Sequence, residues 1–336
     1  MRVARLLAML VLAGALPAAA QDGEENPAIT LENAGQVRQL AELSGFGPVN
    51  SIAFKADATM LAIGDADGAL VLQELAPDGS ETRLVGHTGA VNAVAFSPDG
   101  TFLASGGEDA RLYLWDVATG DLIKSTTEFT GEITSLAWAA EGHRLAFGNT
   151  DGLVAVLDVD TDDIVAVQVK GTPVTCITWS ADSAMLAFGV VKGETGKVWV
   201  MDAAPGRPLA QHRWVGGSSD WVTGPVSSIA WSPDGTRWAT GAAGIIMQWD
   251  ATTGFPLGTV IEHPGRVLSL GWSPDGALLA SAGSDSTVRL WNAETAESLA
   301  VLHAHMDAVR TVTFHPDGTM LASGGDDGTV RLWGVP

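Results

Sequence analysis

Three groups of histidine, serine, aspartate and tryptophan recur along the chain with one spacing. In each group the serine lies 18 residues after the histidine, the aspartate 4 residues later and the tryptophan 6 residues after that. Serine, histidine and aspartate form hydrolytic triads, but such a triad activates one serine at one site. A buried network of four mutually hydrogen-bonded side chains can recur in every unit of a repeat, so the repetition favours a structural network. The groups, called tetrads below, are His87, Ser105, Asp109, Trp115; His263, Ser281, Asp285, Trp291; and His305, Ser323, Asp327, Trp333.

The elements that must position these tetrads also repeat. A valine or isoleucine at the start of a short β-rich run recurs at gaps of 42, 42, 41, 52, 41 and 42 residues, and an aromatic residue follows each one five positions later. A period of about 40–45 residues is typical of a propeller blade. Turns such as Ser97–Gly100, Ser-Pro-Asp-Gly, favour a hairpin between the first two strands. The strand starts are Val49, Val91, Ile133, Val174, Val226, Val267 and Val309.

Seven starts predict an all-β fold, a seven-bladed β-propeller of four-stranded antiparallel blades with strands a to d running from the axis outward. The last blade is short, because only 27 residues separate Val309 from Pro336. The missing 15 residues correspond to a strand-like segment that begins near Ala34. We therefore expect an N-terminal strand to close the ring, with the propeller domain at residues 34–336.

The repeat resembles that of the WD-repeat family. Gly86-His87 matches the Gly-His signature of the family, and Trp115-Asp116 and Trp249-Asp250 match its Trp-Asp ending. Almost all of the chain after the first residues takes part in the resemblance. It implies a propeller used mainly as a docking platform, in which each tetrad links an outer loop, a strand and a turn.

Motifs for other chemistry are missing from the sequence. It has no phosphate-binding loop, dinucleotide fingerprint, zinc motif or nucleophile elbow, so we predict a non-enzymatic protein without cofactor or metal. Asp158, Asp160 and Asp162 resemble the start of a calcium loop but lack its glycine and final glutamate, which leaves a hairpin turn and a weak cation site as alternatives. The single cysteine, Cys176, is expected to be a small buried side chain.

The N-terminus predicts export. Arg2 and Arg5 precede an apolar run at residues 6–16 and an alanine-rich end at Ala20. This is the pattern of a secretory signal peptide, here residues 1–20, and the run is too short for a membrane span. Residues 21–33 are then a flexible acidic lead-in, and the protein is expected in a periplasm or outside the cell.

The net charge of the chain indicates which classes of partner it can bind. The formal net charge is −21. A surface this acidic repels nucleic-acid phosphates and anionic lipids, so we expect no nucleic acid. The charge leaves two roles open, solubility and the binding of basic partners or cations, while the family resemblance implies a protein or peptide partner.

The second residue of each strand a is expected to face the mouth of the central channel. An arginine occupies this position in the seventh unit, and small polar residues occupy it in the first five, which suits a shallow peptide or side-chain pocket. Arg310 and nearby Arg266 are expected either to fork a partner's carboxylate or to pair locally with Asp326 or Asp307. The small polar residues are Asn50, Asn92, Thr134, Thr175 and Ser227.

The gap of 52 residues marks blade four as unusual. Its extra residues fall at 190–197, between strands b and c, and at 214–224, between blades four and five. Both connections emerge on one face, so Trp214 and Trp221 are candidate binding anchors there, the alternative being that they pack in strand d and in a gap between blades. The sequence thus predicts an exported scaffold that binds a protein or peptide on the face bearing the b–c and d–a loops.

Three other classes stay open. Ser-Pro-Asp-Gly turns also occur in TolB-like periplasmic accessory propellers, although the Gly-His and Trp-Asp pairs argue against that class. A propeller hydrolase or lactonase would need an acidic or histidine cluster in the channel. A small-ligand or glycan binder would be supported by stacked exposed tryptophans.

Overall fold

The computed structural model describes most of the predicted propeller. The signal peptide, residues 21–25 of the acidic lead-in, Trp214 and Trp221 lie outside the described residues. The described part contains one 3₁₀ helix, Ala34–Gln36, and strands β1 to β27. The described ranges are residues 26–76, 78–126, 129–193, 195–203 and 224–336.

The first four blades take their strands consecutively along the chain. Blade one contains β2 (Val49–Phe54), β3 (Met60–Asp65), β4 (Leu70–Glu74) and β5 (Glu81–Leu84). Blade two contains β6 (Val91–Phe96), β7 (Phe102–Gly107), β8 (Leu112–Asp116) and β9 (Leu122–Ser125). Blade three contains β10 (Ile133–Trp138), β11 (Arg144–Asn149), β12 (Leu153–Asp158) and β13 (Ile164–Gln168). Blade four contains β14 (Val174–Trp179), β15 (Met185–Lys192) and β16 (Thr195–Asp202).

The last three blades continue this order, and the N-terminal strand joins the seventh. Blade five contains β17 (Ser228–Trp231), β18 (Arg237–Gly241), β19 (Ile245–Asp250) and β20 (Pro256–Glu262). Blade six contains β21 (Val267–Trp272), β22 (Leu278–Gly283), β23 (Thr287–Asn292) and β24 (Ser298–His303). Blade seven contains β25 (Val309–Phe314), β26 (Met320–Gly325), β27 (Thr329–Gly334) and β1 (Arg38–Ser44).

Each blade is an antiparallel sheet, and the ring closes as predicted. Blade seven has the strand order β1-β27-β26-β25, so the N-terminal strand supplies its strand d. In this pair Arg38 lies opposite Gly334, and Ser44 lies opposite Thr329. The prediction of an all-β, seven-bladed propeller closed by an N-terminal strand is confirmed. We call the face with the b–c and d–a connections the upper face, and the face with the a–b and c–d turns the lower face.

Blade four differs from the prediction at its upper face. Strands β15 and β16 are eight residues long each and pair as far as Lys192 opposite Thr195. The valines of this segment favour an extended backbone, so the extra residues at 190–197 lengthen the hairpin instead of forming an open loop. A fourth strand of this blade is not among the described residues, and residues 204–223 lie outside them.

The core lies between neighbouring blades. Strand b is covered on both of its sides, and its Leu-Ala pair is fully buried, as at Leu61 and Ala62. Gly64 lets the next blade approach closely, because a Cβ at this glycine would lie 2.6 Å from Cγ1 of Val91. The packed surfaces between neighbouring blades therefore hold the ring together, and they fix the ends of the strands from which the loops of both faces emerge.

Candidate functional site

The blade-two tetrad forms a continuous chain of hydrogen bonds. Trp115 Nε1–H donates to Ser105 Oγ over 2.9 Å, and Ser105 Oγ lies 2.8 Å from His87 Nε2. His87 Nδ1 lies 3.0 Å from a carboxylate oxygen of Asp109. With a neutral imidazole that carries its proton on Nδ1, every donor in the chain has an acceptor. Burial lowers the pKa of His87 against the opposing effect of Asp109, which agrees with the neutral form.

The blade-seven tetrad has the same geometry. His305 Nε2 lies 2.7 Å from Ser323 Oγ, and Trp333 Nε1–H donates to that oxygen over 2.8 Å. Burial works against ionisation of Asp327, but hydrogen bonds from the Met306 backbone N–H and from Thr329 hold its pKa at about 2. The network ties the d–a loop, strand b and the b–c turn of one blade together.

The blade-six tetrad is incomplete although its residue types and spacing are identical. Trp291 Nε1–H donates to Ser281 Oγ over 2.8 Å. His263 Nε2 is buried without a hydrogen-bond partner in the described part of the chain, and His263 Nδ1 lies 3.6 Å from Asp285, too far for a hydrogen bond. The loop at blade six therefore lacks the bonds that fix the other two.

The tetrad serines are not placed as nucleophiles. The side chains of Ser105, Ser281 and Ser323 are fully buried, and each hydroxyl oxygen already accepts a tryptophan N–H. A substrate carbonyl has no access to them, so these trios do not have the accessible arrangement of a hydrolytic triad.

The small polar residues predicted at the channel mouth connect neighbouring blades. A β-bulge between the first and third residues of strand a leaves the second residue out of the ladder, as at Val49 and Ser51. The side chain of this second residue donates to the carbonyl of the residue that begins strand a in the next blade or, for Val226 of blade five, lies two positions before it. The bonds are Asn50 to Val91 (3.2 Å), Asn92 to Ile133 (3.2 Å), Thr134 to Val174 (2.8 Å) and Thr175 to Val226 (2.6 Å).

These inter-blade bonds stop after blade four in the described residues. Ser227 has no side-chain hydrogen bond there, Leu268 is apolar, and Arg310 pairs with Asp326 through two nitrogen atoms. Local pairing, one of the two alternatives for Arg310, is therefore present. In blades five to seven the second residue of strand a therefore makes no such bond among the described residues, although Ser228 and Ser269 on the same strands still accept the backbone N–H groups of Leu270 and Val312 in the next blade.

Arg266 differs from Arg310. It lies in the d–a loop before β21, it is exposed, and its guanidinium has no hydrogen bond or ion pair with any described residue. Only its backbone N–H is bonded, to Ser284 Oγ over 2.9 Å. Arg266 lies three positions after His263 of the incomplete blade-six tetrad, so an unpaired cation and a loosely bonded loop occur together on the upper face.

The described residues hold no group of three histidine, cysteine or acidic side chains that could bind a metal ion. Asp158 begins the turn between β12 and β13 and accepts the backbone N–H of Asp160, while Asp160 contacts His143 and Asp162 pairs with Lys124. Burial raises the pKa of the Cys176 thiol to about 11, so it stays protonated at neutral pH.

No helix in the described ranges is both long and apolar enough to cross a membrane.

Comparison with known families agrees with this geometry. The family described as WD domain, G-beta repeat matches four segments, residues 79–116, 214–250, 254–292 and 296–334. A second family, the anaphase-promoting complex subunit 4 WD40 domain, matches residues 125–182. Together the matches cover more than half of the chain, which belongs to the WD40-repeat family. A search of curated proteins gave no match.

Membership of the WD40-repeat family indicates the general class of protein to which the chain belongs. WD40 propellers are scaffolds typical of protein interaction, and they are generally non-enzymatic. The matched segment 79–116 begins before strand d of blade one and ends with strand c of blade two, so one repeat joins two blades. This offset explains why β1 and β27 must meet to complete the ring.

Proposed function

We propose that this protein is an exported, non-enzymatic WD40 scaffold that binds a protein or peptide on its upper face. The observation that carries the proposal is the exposed guanidinium of Arg266, which has no partner among the described residues. On a chain with a net charge of −21, one unpaired cation beside the channel mouth suits a carboxylate of the partner.

Apolar groups on the same face support a protein partner. Met306 is 88 % exposed in the d–a loop that leads to β25, and Val85 is 89 % exposed in the loop that leads to β6. Large exposed apolar side chains give a protein partner apolar surface to cover. Trp214 and Trp221 remain candidate anchors, and they lie outside the described residues.

Export is part of the proposal and rests on residues 1–20. Their charged start, apolar run and alanine-rich end have the order of a signal peptide. Expression in a host with a secretion pathway, followed by the intact mass of the recovered protein, tests it. A chain that starts at Gln21 in the exported fraction is expected, whereas an uncleaved chain in the cytosol would contradict export.

The binding site is tested by charge reversal with a matched control. Arg266→Glu places a carboxylate where a partner's carboxylate is expected, and Arg83→Glu makes the same change on the exposed outer strand β5 of blade one. The full protein is crosslinked in the exported fraction of its own source, and the captured partner is then titrated against each purified variant. We expect Arg266→Glu to weaken binding at least tenfold and Arg83→Glu to leave it unchanged. Equal affinities for the two variants would remove Arg266 from the site.

A further inference from the structure

The lower face contains a cavity that the proposed function does not use. It has a volume of about 380 Å³, within the range of small-ligand sites. It spans blades four, five and six at the a–b turn end of the channel. Its walls include the last residue of strand a from each of these blades, Trp179, Trp231 and Trp272, together with the turn residues Ala181 and Pro233.

Trp231 differs from the other tryptophans at its strand position. Three of them fix their rings by donating Nε1–H to a carbonyl of the preceding blade, whereas Trp231 Nε1 has no hydrogen-bond partner among the described residues. The ring of Trp231 is therefore held by packing alone. The three bonds are Trp138 to Ala95 (2.9 Å), Trp179 to Ala137 (3.0 Å) and Trp272 to Ala230 (3.0 Å).

The indole faces in this wall already attract cations. The guanidinium of Arg144, at the start of strand b in blade three, lies 4.8 Å from the ring centre of Trp179 in the next blade. Arg237 of blade five lies 5.8 Å from the ring centre of Trp272 in the same way. In blade four the first residue of strand b is Met185 and not an arginine. Trp231, which lies between Trp179 and Trp272 in the ring of blades, therefore has no arginine from the described residues of the preceding blade over its ring.

The rim of the cavity is acidic. Every a–b turn of the propeller carries one exposed carboxylate, so the lower face presents seven of them around the channel. Asp182 and Asp234 directly follow the wall residues Ala181 and Pro233. A hydrogen bond from Ser232 lowers the pKa of Asp234, and one from Ser180 lowers that of Asp182, so both are charged at neutral pH. The seven are Asp57, Asp99, Glu141, Asp182, Asp234, Asp275 and Asp317.

We propose that this cavity binds an alkylammonium cation, with the ring of Trp231 supplying the aromatic face and Asp182 and Asp234 supplying the opposite charge. A cation within about 6 Å of an indole ring is attracted by its π electrons, and tryptophan is the strongest aromatic partner for this. The arginines over the two flanking tryptophans show the same interaction within the chain. This site lies on the face opposite to the proposed protein interface and does not depend on it.

Calorimetric titration of the full protein with choline tests the proposal. The uncharged isostere 3,3-dimethyl-1-butanol has the same shape without the charge, and n-butylammonium distinguishes a methylated from a primary ammonium. We expect choline to bind at least tenfold more tightly than the isostere, and added salt to weaken it. Equal binding of choline and the isostere, or no heat of binding for either cation, would overturn the proposal.

Variants locate the site. Trp231→Leu removes the aromatic face and should weaken choline about tenfold. Asp234→Asn should weaken it about threefold while keeping the turn, since an amide oxygen can replace the carboxylate oxygen as acceptor. Asp99→Asn is the matched control, because Ser97–Thr101 and Ser232–Thr236 have the same sequence and Asp99 lies in blade two, away from the cavity. Equal weakening by Asp99→Asn and Asp234→Asn would show a general effect of charge and would contradict a site in this cavity.

Discussion

Blades six and seven carry the same four residue types at the same spacing, yet only blade seven completes its network. In blade seven the residue after the histidine, Met306, donates its backbone N–H to Asp327 over 2.9 Å. In blade two Thr88 does the same to Asp109 over 3.1 Å. Blade six has Pro264 at this position, and proline has no N–H to donate.

The missing donor explains the other differences in blade six. Asp285 lies 3.6 Å both from His263 Nδ1 and from Arg289, and the Gly265 backbone N–H donates to His263 Nδ1 over 3.3 Å. With Nδ1 accepting that bond, the imidazole cannot also donate from it to the carboxylate. One proline thus separates a closed tetrad from an open one, next to the unpaired Arg266.

Replacing the tetrad serine by alanine should give the largest difference in unfolding free energy between blades six and seven. Ser323→Ala leaves two buried groups, His305 Nε2 and Trp333 Nε1–H, without partners and should cost about 3 kcal/mol of unfolding free energy. Ser281→Ala leaves only Trp291 Nε1–H without its acceptor and should cost about 1.5 kcal/mol. Urea unfolding measures both. Equal costs would mean that His263 and Ser281 are bonded in solution.

The histidines should differ in the same direction. His305→Leu deprives the Ser323 hydroxyl of its acceptor and Asp327 of a donor, and should cost about 2 kcal/mol. His263→Leu removes an imidazole whose Nε2 is already unpaired, and should change the unfolding free energy by less than about 1 kcal/mol. A larger cost for His263→Leu than for His305→Leu in urea unfolding would contradict the open tetrad.

Exchanging the residue after the histidine tests the cause. Pro264→Thr supplies the missing N–H and should stabilise the protein by about 1 kcal/mol as His263 turns towards Asp285. NMR should then show a slowly exchanging Nδ1 proton on His263, as on His87 and His305. Thr88→Pro, the reverse change in blade two, should destabilise by a similar amount and remove that proton from His87. An unchanged spectrum in both variants would make the proline irrelevant.

The smallest effect concerns a histidine outside the tetrads. His143 lies between Asp160 (2.9 Å) and Asp99 (3.1 Å), so it joins blades three and two on the lower face. The hydrogen bond to Asp160 is the main cause of its raised pKa, and the bond to Asp99 adds to it, while burial acts in the opposite direction. A raised pKa contributes stability that is full below the unfolded value near 6.5 and is lost as pH rises through the folded value.

The tetrad histidines have the opposite pH dependence of stability, because burial lowers their pKa. Their contribution to the unfolding free energy is lost as pH falls below about 6.5. His143→Gln should therefore cost up to about 1 kcal/mol at pH 6 and less at pH 8, since the ion pairs are partly exposed. Unfolding free energies measured at the two pH values check this. A cost that grows with pH would contradict the assignment.

Much of the fold could be predicted from the sequence, because its determinants are local. The 42-residue period, the Ser-Pro-Asp-Gly turns and the short last repeat predict the blade count and the closing strand β1. The spacing of the tetrads predicts the bonded networks found in blades two and seven. It does not predict the open tetrad of blade six, because that depends on a backbone N–H and not on a side chain.

The channel mouth was harder to predict for a related reason. Side chains of a regular β-strand point alternately to its two faces, and this pattern predicts that Asn50 and Thr175 point towards the channel. A β-bulge turns each of them towards the next blade instead. Nothing in the residue types signals this bulge. Likewise, the sequence predicts the same role for Arg266 and Arg310. In the structure Arg310 is paired because Asp326 lies next to it, whereas Arg266 is unpaired among the described residues.

Site-specific photocrosslinking tests whether a protein partner docks on the upper face. A photoreactive amino acid replaces Met306 on the upper face in one protein and Asp275 on the lower face in another, and each is irradiated with the exported fraction of its own source. We predict one discrete crosslinked partner from position 306, reduced by Arg266→Glu, and none from position 275. A partner crosslinked from position 275 alone would contradict it.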